Sequence, residues 1–284
     1  MMDIIFFQFK HSFIKKKNIK FFIGILFILF IFLFKIKHYF RDYDLNGGLK
    51  DYMIFSVGGW ENPVLFTSLL EWSFFVFLIL CMSINITNDF EKLYIITLNR
   101  IGSKLKSWIY ICINELFFCI LITILVYVSG LLIGGSFLGY NPNSTGYTRV
   151  FYKNLCDVNF GILLISEFIN FFTGIYLLQI IIRGFSSIFQ KINTFYVFVL
   201  IVYMFSGFLF IYSNIPKILC PIFYPSLFSL NLTSLYFNIF MNIVLTILFI
   251  ILGYFLYLKI DINQIKDKKI FIDNSLFENI FFYG

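Results

Sequence analysis

Residues 108–135 read WIYICINELFFCILITILVYVSGLLIGG, and Glu115 is the one charged residue in this stretch. A helix needs about 20 apolar residues to cross the hydrocarbon core of a bilayer. The backbone of a spanning segment must satisfy its own hydrogen bonds because lipid offers none, and within a single segment only a helix does so. The stretch therefore predicts a membrane-spanning helix.

Other parts of the chain repeat this pattern of length and polarity. Together they predict six spans, at 21–40, 67–87, 108–135, 158–182, 194–212 and 236–258. Hydrophobic residues make up 60% of the chain, aromatic residues 22% and charged residues 13%, whereas soluble domains carry ~25% charged residues. This composition excludes a soluble globular domain, a disordered chain and a nucleic-acid-binding protein. It predicts an all-α polytopic membrane protein with its transmembrane domain at 21–258.

The basic residues predict the orientation of the chain. The formal net charge is +7. With six spans, 15 of the 22 Lys and Arg residues lie on the side of the membrane that holds the N-terminus, and seven lie on the opposite side. Because cytoplasmic loops carry the excess of Lys and Arg, we expect both termini, including a tail at 259–284, to be cytoplasmic and to meet anionic lipid. Abundant Phe, Ile, Lys and Asn are typical of an AT-rich bacterial genome, so the expected location is a bacterial plasma membrane.

Two segments outside the spans have unusual patterns. Residues 1–20 place apolar side chains on one helical face and Lys on another, which predicts an amphipathic helix in the membrane interface; the alternative is a basic flank of the first span. Residues 213–235 are largely apolar but hold Pro216, Pro221 and Pro225. Each proline removes a backbone N–H, so this segment predicts a re-entrant hairpin before the last span, or else a proline-rich outer loop.

The sequence lacks the motifs of several catalytic classes. Its five cysteines form no C-x-x-C pair, and its two histidines, His11 and His38, cannot form H-E-x-x-H. No G-x-x-x-x-G-K-[ST] sequence is present to bind ATP phosphates. We therefore expect no metal, no catalytic residue and no cofactor in this chain.

The predicted cytoplasmic loop at 88–107 carries apolar residues between charged ones. Leu93, Ile96, Leu98 and Ile101 alternate there with acidic and basic side chains. A short helix of this kind offers a partner protein an apolar face with a charged rim. The alternative is a solvated charged connector, which the apolar residues disfavour.

The order of these features resembles the membrane subunit of type-2 ABC exporters. In that family the loop after the second span opens with an acidic pair, ends in a Ser-basic pair and docks into the ATPase as a coupling helix. Asp89 and Glu91 match the acidic pair and Ser103-Lys104 the second pair, although Lys92-Leu93 replaces the usual small residue. The resemblance implies that these residues contact the ATPase: Asp89, Glu91, Leu93, Ile96, Arg100, Ser103 and Lys104.

Polar residues and glycines inside the spans are further candidates. Glu71, Glu115 and Glu167 each cost roughly 2.5–3.5 kcal/mol if exposed to lipid at the bilayer centre. Glu115 and Glu167 are candidates for the lining of a translocation path, and the alternative is hydrogen bonding between helices. A G-x-x-x-G pattern predicts close helix packing, within the chain or at a subunit interface; its glycines are Gly130, Gly134, Gly135 and Gly139.

The resemblance implies an ATP-driven exporter permease that binds no ATP itself. ATP and Mg are expected in a separate ABC ATPase subunit, and a second permease chain, identical or related, is expected beside this one in the lipid. The expected cargo is amphipathic or hydrophobic: an antimicrobial peptide, a lipid or a drug. The alternatives are an intramembrane enzyme that uses Glu115 and Glu167, and a membrane immunity or sensor protein that works without ATP.

Overall fold

The described part of the protein covers most of the predicted spans. A computed structural model describes residues 15–43, 45, 47–57, 70–83, 85, 104–142, 148–149, 155–189, 201–203, 205–207, 221, 224–225 and 232–258. Within these ranges the chain is all-helical and has no strand. The all-α prediction is therefore confirmed for this part of the chain.

Six helices organise the described residues. Their bounds are Lys16–Asp42 (α1), Leu49–Ser56 (α2), Leu70–Ser83 (α3), Lys104–Leu138 (α4), Phe160–Phe189 (α5) and Leu232–Leu258 (α6). Four of them, α1, α4, α5 and α6, are long and apolar enough to cross a membrane. They coincide with the first, third, fourth and sixth predicted spans, as expected of a multi-pass membrane protein.

The other two predicted spans are covered only in part. α3 follows the second span over Leu70–Ser83, which is shorter than a crossing helix. Of the fifth span, residues 201–203 and 205–207 are described, and both pieces are helical. Six spans therefore remains a prediction. Residues 1–14 of the expected interfacial helix and the tail at 259–284 lie outside the described residues.

Two helices are longer than the sequence indicated. α4 has 35 residues, which is about 52 Å at 1.5 Å per residue. It begins at Lys104 and ends at Gly139, whose φ of 76° is a conformation that favours glycine. α5 extends to Phe189, so Arg183, one residue beyond the predicted fourth span, belongs to the helix.

The sequence did not predict α2, a short helix in which every residue is buried. Tyr52 donates a hydrogen bond from its hydroxyl to the Leu29 carbonyl of α1, at 3.0 Å. α2 also packs against α4. Lys50 and Asp51 make the segment look like a solvated loop, whereas both side chains are 1% exposed or less.

Two of the predicted packing glycines lie under α2. A Cβ on Gly134 would lie 2.7 Å from Leu49 Cδ1 and 3.0 Å from Tyr52 Cε1, whereas a Cβ on Gly130 would lie 3.4 Å from Met53 Sδ. Gly134 therefore marks a closer approach than Gly130. The other two glycines do not contact α2: Gly135 lies beside Tyr140, and Gly139 ends α4.

These distances predict different effects of alanine at the two sites. Gly134→Ala should lower the free energy of unfolding by about 1–3 kcal/mol because the added methyl group overpacks the α2–α4 contact. Gly130→Ala is the matched control, since both substitutions raise helix propensity equally and only Gly134 lacks room. The measurement is the apparent unfolding temperature of the purified protein in detergent. Equal effects of the two variants would contradict the placement of α2 against Gly134.

Candidate functional site

Of the seven residues in the predicted ATPase-docking segment, the structure describes Lys104. It is the first residue of α4, and its Nζ donates a hydrogen bond to the Leu258 carbonyl at the end of α6, at 3.0 Å. The other six lie outside the described residues: Asp89, Glu91, Leu93, Ile96, Arg100 and Ser103.

Two further contacts join the same ends of α4 and α6. The Ser107 and Tyr257 hydroxyls share a hydrogen bond of 3.3 Å. Trp108 donates from Nε1 to the Ile250 carbonyl at 2.9 Å, and its ring lies 5.6 Å from that of Tyr257. Gly253 makes room for the indole, because a Cβ there would lie 2.9 Å from Trp108 Cη2. We call the contacts of Lys104, Ser107 and Trp108 with α6 the α4–α6 clamp.

The clamp joins the start of α4 to the end of α6. Since α4 begins directly after the predicted docking loop, a displacement of that loop would reach two long apolar helices at once. The sequence does not predict the hydrogen bond from Trp108 to a neighbouring helix, because Ile250 is distant along the chain.

Glu115 of α4 forms an ion pair with Arg183 of α5. The contact joins Glu115 Oε1 and Arg183 Nε, and the two side chains are 1% and 5% exposed. The sequence offered Glu115 as path lining or as a hydrogen-bonding group between helices, and the structure gives it a charged partner. A buried carboxylate needs a counter-ion. The predicted fourth span ended at residue 182, so the sequence did not suggest Arg183 as the partner of Glu115.

The face of α5 that carries Arg183 has polar side chains for two further turns toward the N-terminal end of the helix. Tyr176 and Gln179 share this face at helical spacing, and the Tyr176 hydroxyl donates to the Cys112 carbonyl of α4 at 3.0 Å. Gln179 is fully buried, and neither of its amide atoms has a hydrogen-bond partner among the described residues. The α4–α5 interface therefore contains a polar strip inside an apolar bundle.

The structure does not bring Glu115 and Glu167 together. Glu115 pairs with Arg183, and Arg183 and Glu167 are about 24 Å apart along α5 at 1.5 Å per residue. Glu167 is 3% exposed at the other end of the same interface. The two carboxyl groups are thus too far apart to act as one catalytic pair in this conformation.

Glu71 has a different environment from the two deep carboxylates. Lys35 Nζ of α1 lies 2.5 Å from Glu71 Oε2 of α3, and the side chains are 39% and 31% exposed. This pair is therefore more exposed than the Glu115–Arg183 pair.

The connection before α5 is held by the two charged residues of α2. Lys50 donates from Nζ to the carbonyls of Leu155, Cys156 and Val158, each at 2.8 Å. Burial lowers the pKa of the Lys50 ammonium from its ordinary value. The three carbonyl dipoles compensate for part of the lost hydration.

Asp51 holds a second part of the same connection. Its Oδ1 accepts hydrogen bonds from the Thr148 backbone N–H at 2.9 Å and from the Thr148 hydroxyl at 2.6 Å. Its Oδ2 accepts one from the Gly48 N–H at 3.1 Å. We call these contacts of Lys50 and Asp51 the α2 anchor.

Asparagines connect α5, α6 and the segment around Pro225. Asn238 donates to Asn170 Oδ1 at 2.9 Å, and Asn242 donates to the Tyr224 carbonyl at 2.8 Å. The backbone of Tyr224 and Pro225 lies directly against Gly174, where a Cβ would overlap it. Non-helical backbone therefore reaches the middle of α5 and α6.

Beyond these polar contacts the described surface offers an apolar cavity and no metal site. The cavity measures about 220 Å³, lies between α5 and α6, and is lined by residues such as Phe185, Phe249 and Leu252. No group of three His, Cys, Asp or Glu side chains within the described ranges is arranged to hold a metal ion.

Comparison of the chain with protein-family models, curated proteins and solved structures finds no match. The proposals about function therefore depend on the contacts described above and on the resemblance given by the sequence.

The Glu115–Arg183 pair predicts a double-mutant cycle with strong coupling. Glu115→Gln should lower the free energy of unfolding by about 3–5 kcal/mol because it leaves the Arg183 guanidinium buried without a counter-ion. The double variant Glu115→Gln, Arg183→Gln should recover most of that loss, since no charge remains. Glu71→Gln is the control, because its ion pair is less buried than Glu115–Arg183 and its loss should cost less.

Unfolding in detergent, followed by circular dichroism, measures the wild type, the single variants Glu115→Gln and Arg183→Gln, the double variant and the Glu71→Gln control. If the losses of the two single variants simply added up in the double variant, the two side chains would not be coupled. Glu115 would then not depend on Arg183 as its partner across the α4–α5 interface.

Proposed function

We propose that this chain is the permease subunit of an ATP-driven type-2 ABC exporter in a bacterial plasma membrane. It moves an amphipathic or hydrophobic cargo, such as an antimicrobial peptide, a lipid or a drug, out of the cell. ATP and Mg bind a separate ATPase subunit that docks on the loop at 88–107. A second permease chain, identical or related, completes the path.

The observation that carries this proposal is the α4–α6 clamp. A permease driven from outside the membrane needs a segment through which force on a cytoplasmic loop reaches the spanning helices. α4 begins at Lys104, next to the loop, and is bonded to α6 within its first five residues through Lys104, Ser107 and Trp108. A solvated connector would have no need of such a link.

The path in this proposal opens between α4 and α5. This interface carries Glu115, Arg183, Gln179 and Glu167 in an otherwise apolar bundle. Polar groups that are hidden in one conformation and exposed in another are suited to a path for amphipathic cargo, because separation of the helices would hydrate them. In this interpretation Glu115 and Glu167 line the path only when α4 and α5 move apart.

We also propose six spans, with residues 213–235 as a re-entrant hairpin. The support is the depth of Tyr224 and Pro225. Their contacts with Gly174 and Asn242 lie about 21 Å along α5 from Phe160 and about 15 Å along α6 from Leu232. Irregular backbone at this depth is tolerated where protein covers it, and α5 and α6 provide that cover.

The docking loop gives the first test. Replacing Leu93 and Ile96 with Asp should abolish co-purification of the ATPase in mild detergent, because the apolar face that docks becomes charged. Asn99→Asp is the control, since it adds negative charge to the same loop without removing an apolar side chain. The unfolding temperature of the permease should not change. An ATPase that still co-purifies with the double variant would refute the docking assignment.

Topology gives an independent test. Reporter fusions after Gly284 should show the C-terminus in the cytoplasm, as the distribution of basic residues requires. Fusions within 143–147 should show the opposite side. A C-terminus on the outer face would contradict the six-span arrangement and the exporter proposal with it. An ATP-independent sensor would pass this test but bring no ATPase in the co-purification.

A further inference from the structure

Glu167 is a buried carboxyl group without the partners that the other buried charges have. Its side chain is 3% exposed on α5, and among the described residues no donor reaches its Oε1. An ionised carboxylate in such a position lacks the hydrogen bonds that replace its hydration. The contrast is with Glu115, which has the Arg183 side chain against it.

Tyr127 of α4 is the neutral polar neighbour of Glu167. The phenol is 3% exposed and close enough to Glu167 for an electrostatic interaction. Its ring packs 5.2 Å from that of Phe168 and 6.0 Å from that of Phe171. Within the described part of the chain its hydroxyl also lacks a hydrogen-bond partner. Within the described residues, one oxygen atom of each side chain is therefore left without a hydrogen bond.

Lys50 of α2 attracts Glu167 electrostatically, but its hydrogen bonds go to other groups. An ammonium group has three donors, and those of Lys50 bond to three carbonyls of the α4–α5 connection. Asp51 and Asp157 compete for the same positive charge. Lys50 thus provides a distant attraction to Glu167 and no hydrogen bond.

The groups around Glu167 decide which ligand this site can take. Calcium needs six to eight oxygen ligands and magnesium a near-ideal octahedron, whereas no group of three His, Cys, Asp or Glu side chains among the described residues could hold a metal ion. A proton needs one oxygen and removes the charge that the site cannot solvate. We propose that Glu167 is a proton-binding site, in which the carboxyl group of the folded protein is held neutral.

The chemical change at this site is confined to one group. Protonation converts the Glu167 carboxylate and a proton from solvent into the neutral acid, with no other bond made or broken. Loss of that proton leaves a negative charge that Lys50 does not hydrogen-bond, because its three donors already bond to carbonyls.

Infrared spectroscopy of the full-length protein at neutral pH tests the proposal directly, because a neutral carboxylic acid has a C=O stretch that a carboxylate lacks. The wild type should show this band, Glu167→Gln should remove it, and the control Glu71→Gln should leave it intact. A wild type without the band, or a band that survives Glu167→Gln, would overturn the assignment.

A second variant keeps the test decisive if Glu167→Gln does not fold. Glu167→Asp retains an acid at the site and should shift the frequency of the band, whereas a band from another residue would not move. Alkaline titration of the wild type should remove the band reversibly. The experiment needs neither cargo nor an ATPase, so its failure would leave the exporter proposal standing, and a failure of that proposal would not affect this site.

Discussion

The hydrocarbon core of a bilayer supplies neither counter-ions nor hydrogen bonds, so each charge that enters it must find its partner within the protein. In this chain the constraint is met most directly by Glu115 and Arg183, which bridge α4 and α5 where both are buried. Moving the two charges from water into a buried pair costs desolvation energy. A pair of this kind therefore fixes which helices are neighbours more than it stabilises them.

The same constraint explains why α2 can exist as a fully buried helix. A segment of eight residues cannot cross a membrane, and its end groups and charges need partners on the protein. The α2 anchor provides them, with Lys50 on three carbonyls and Asp51 on Thr148 and Gly48. Gly134 then allows the helix to lie close to α4.

Sequence reasoning located the long helices well because their signal is local. An apolar run such as 108–135 shows a span from its own composition, and four such runs are helices long enough to cross a membrane. The partners of Glu115 and Trp108 could not be predicted in the same way, because Arg183 and Ile250 are distant in sequence. α2 was missed because Lys50 and Asp51 are typical of a loop until their partners around 148–158 are known.

The length of α4 has a consequence for the membrane itself. Its apolar part, from Trp108 to Gly135, is about 42 Å long at 1.5 Å per residue, whereas the hydrocarbon core is about 30 Å thick. A helix of this length must tilt steeply or thicken the lipid around it, and each Å of mismatch costs a fraction of a kcal/mol. Because α6 is clamped to α4, the two helices tilt together. We therefore expect the fit of this helix pair to its bilayer to depend on the thickness of the surrounding lipid.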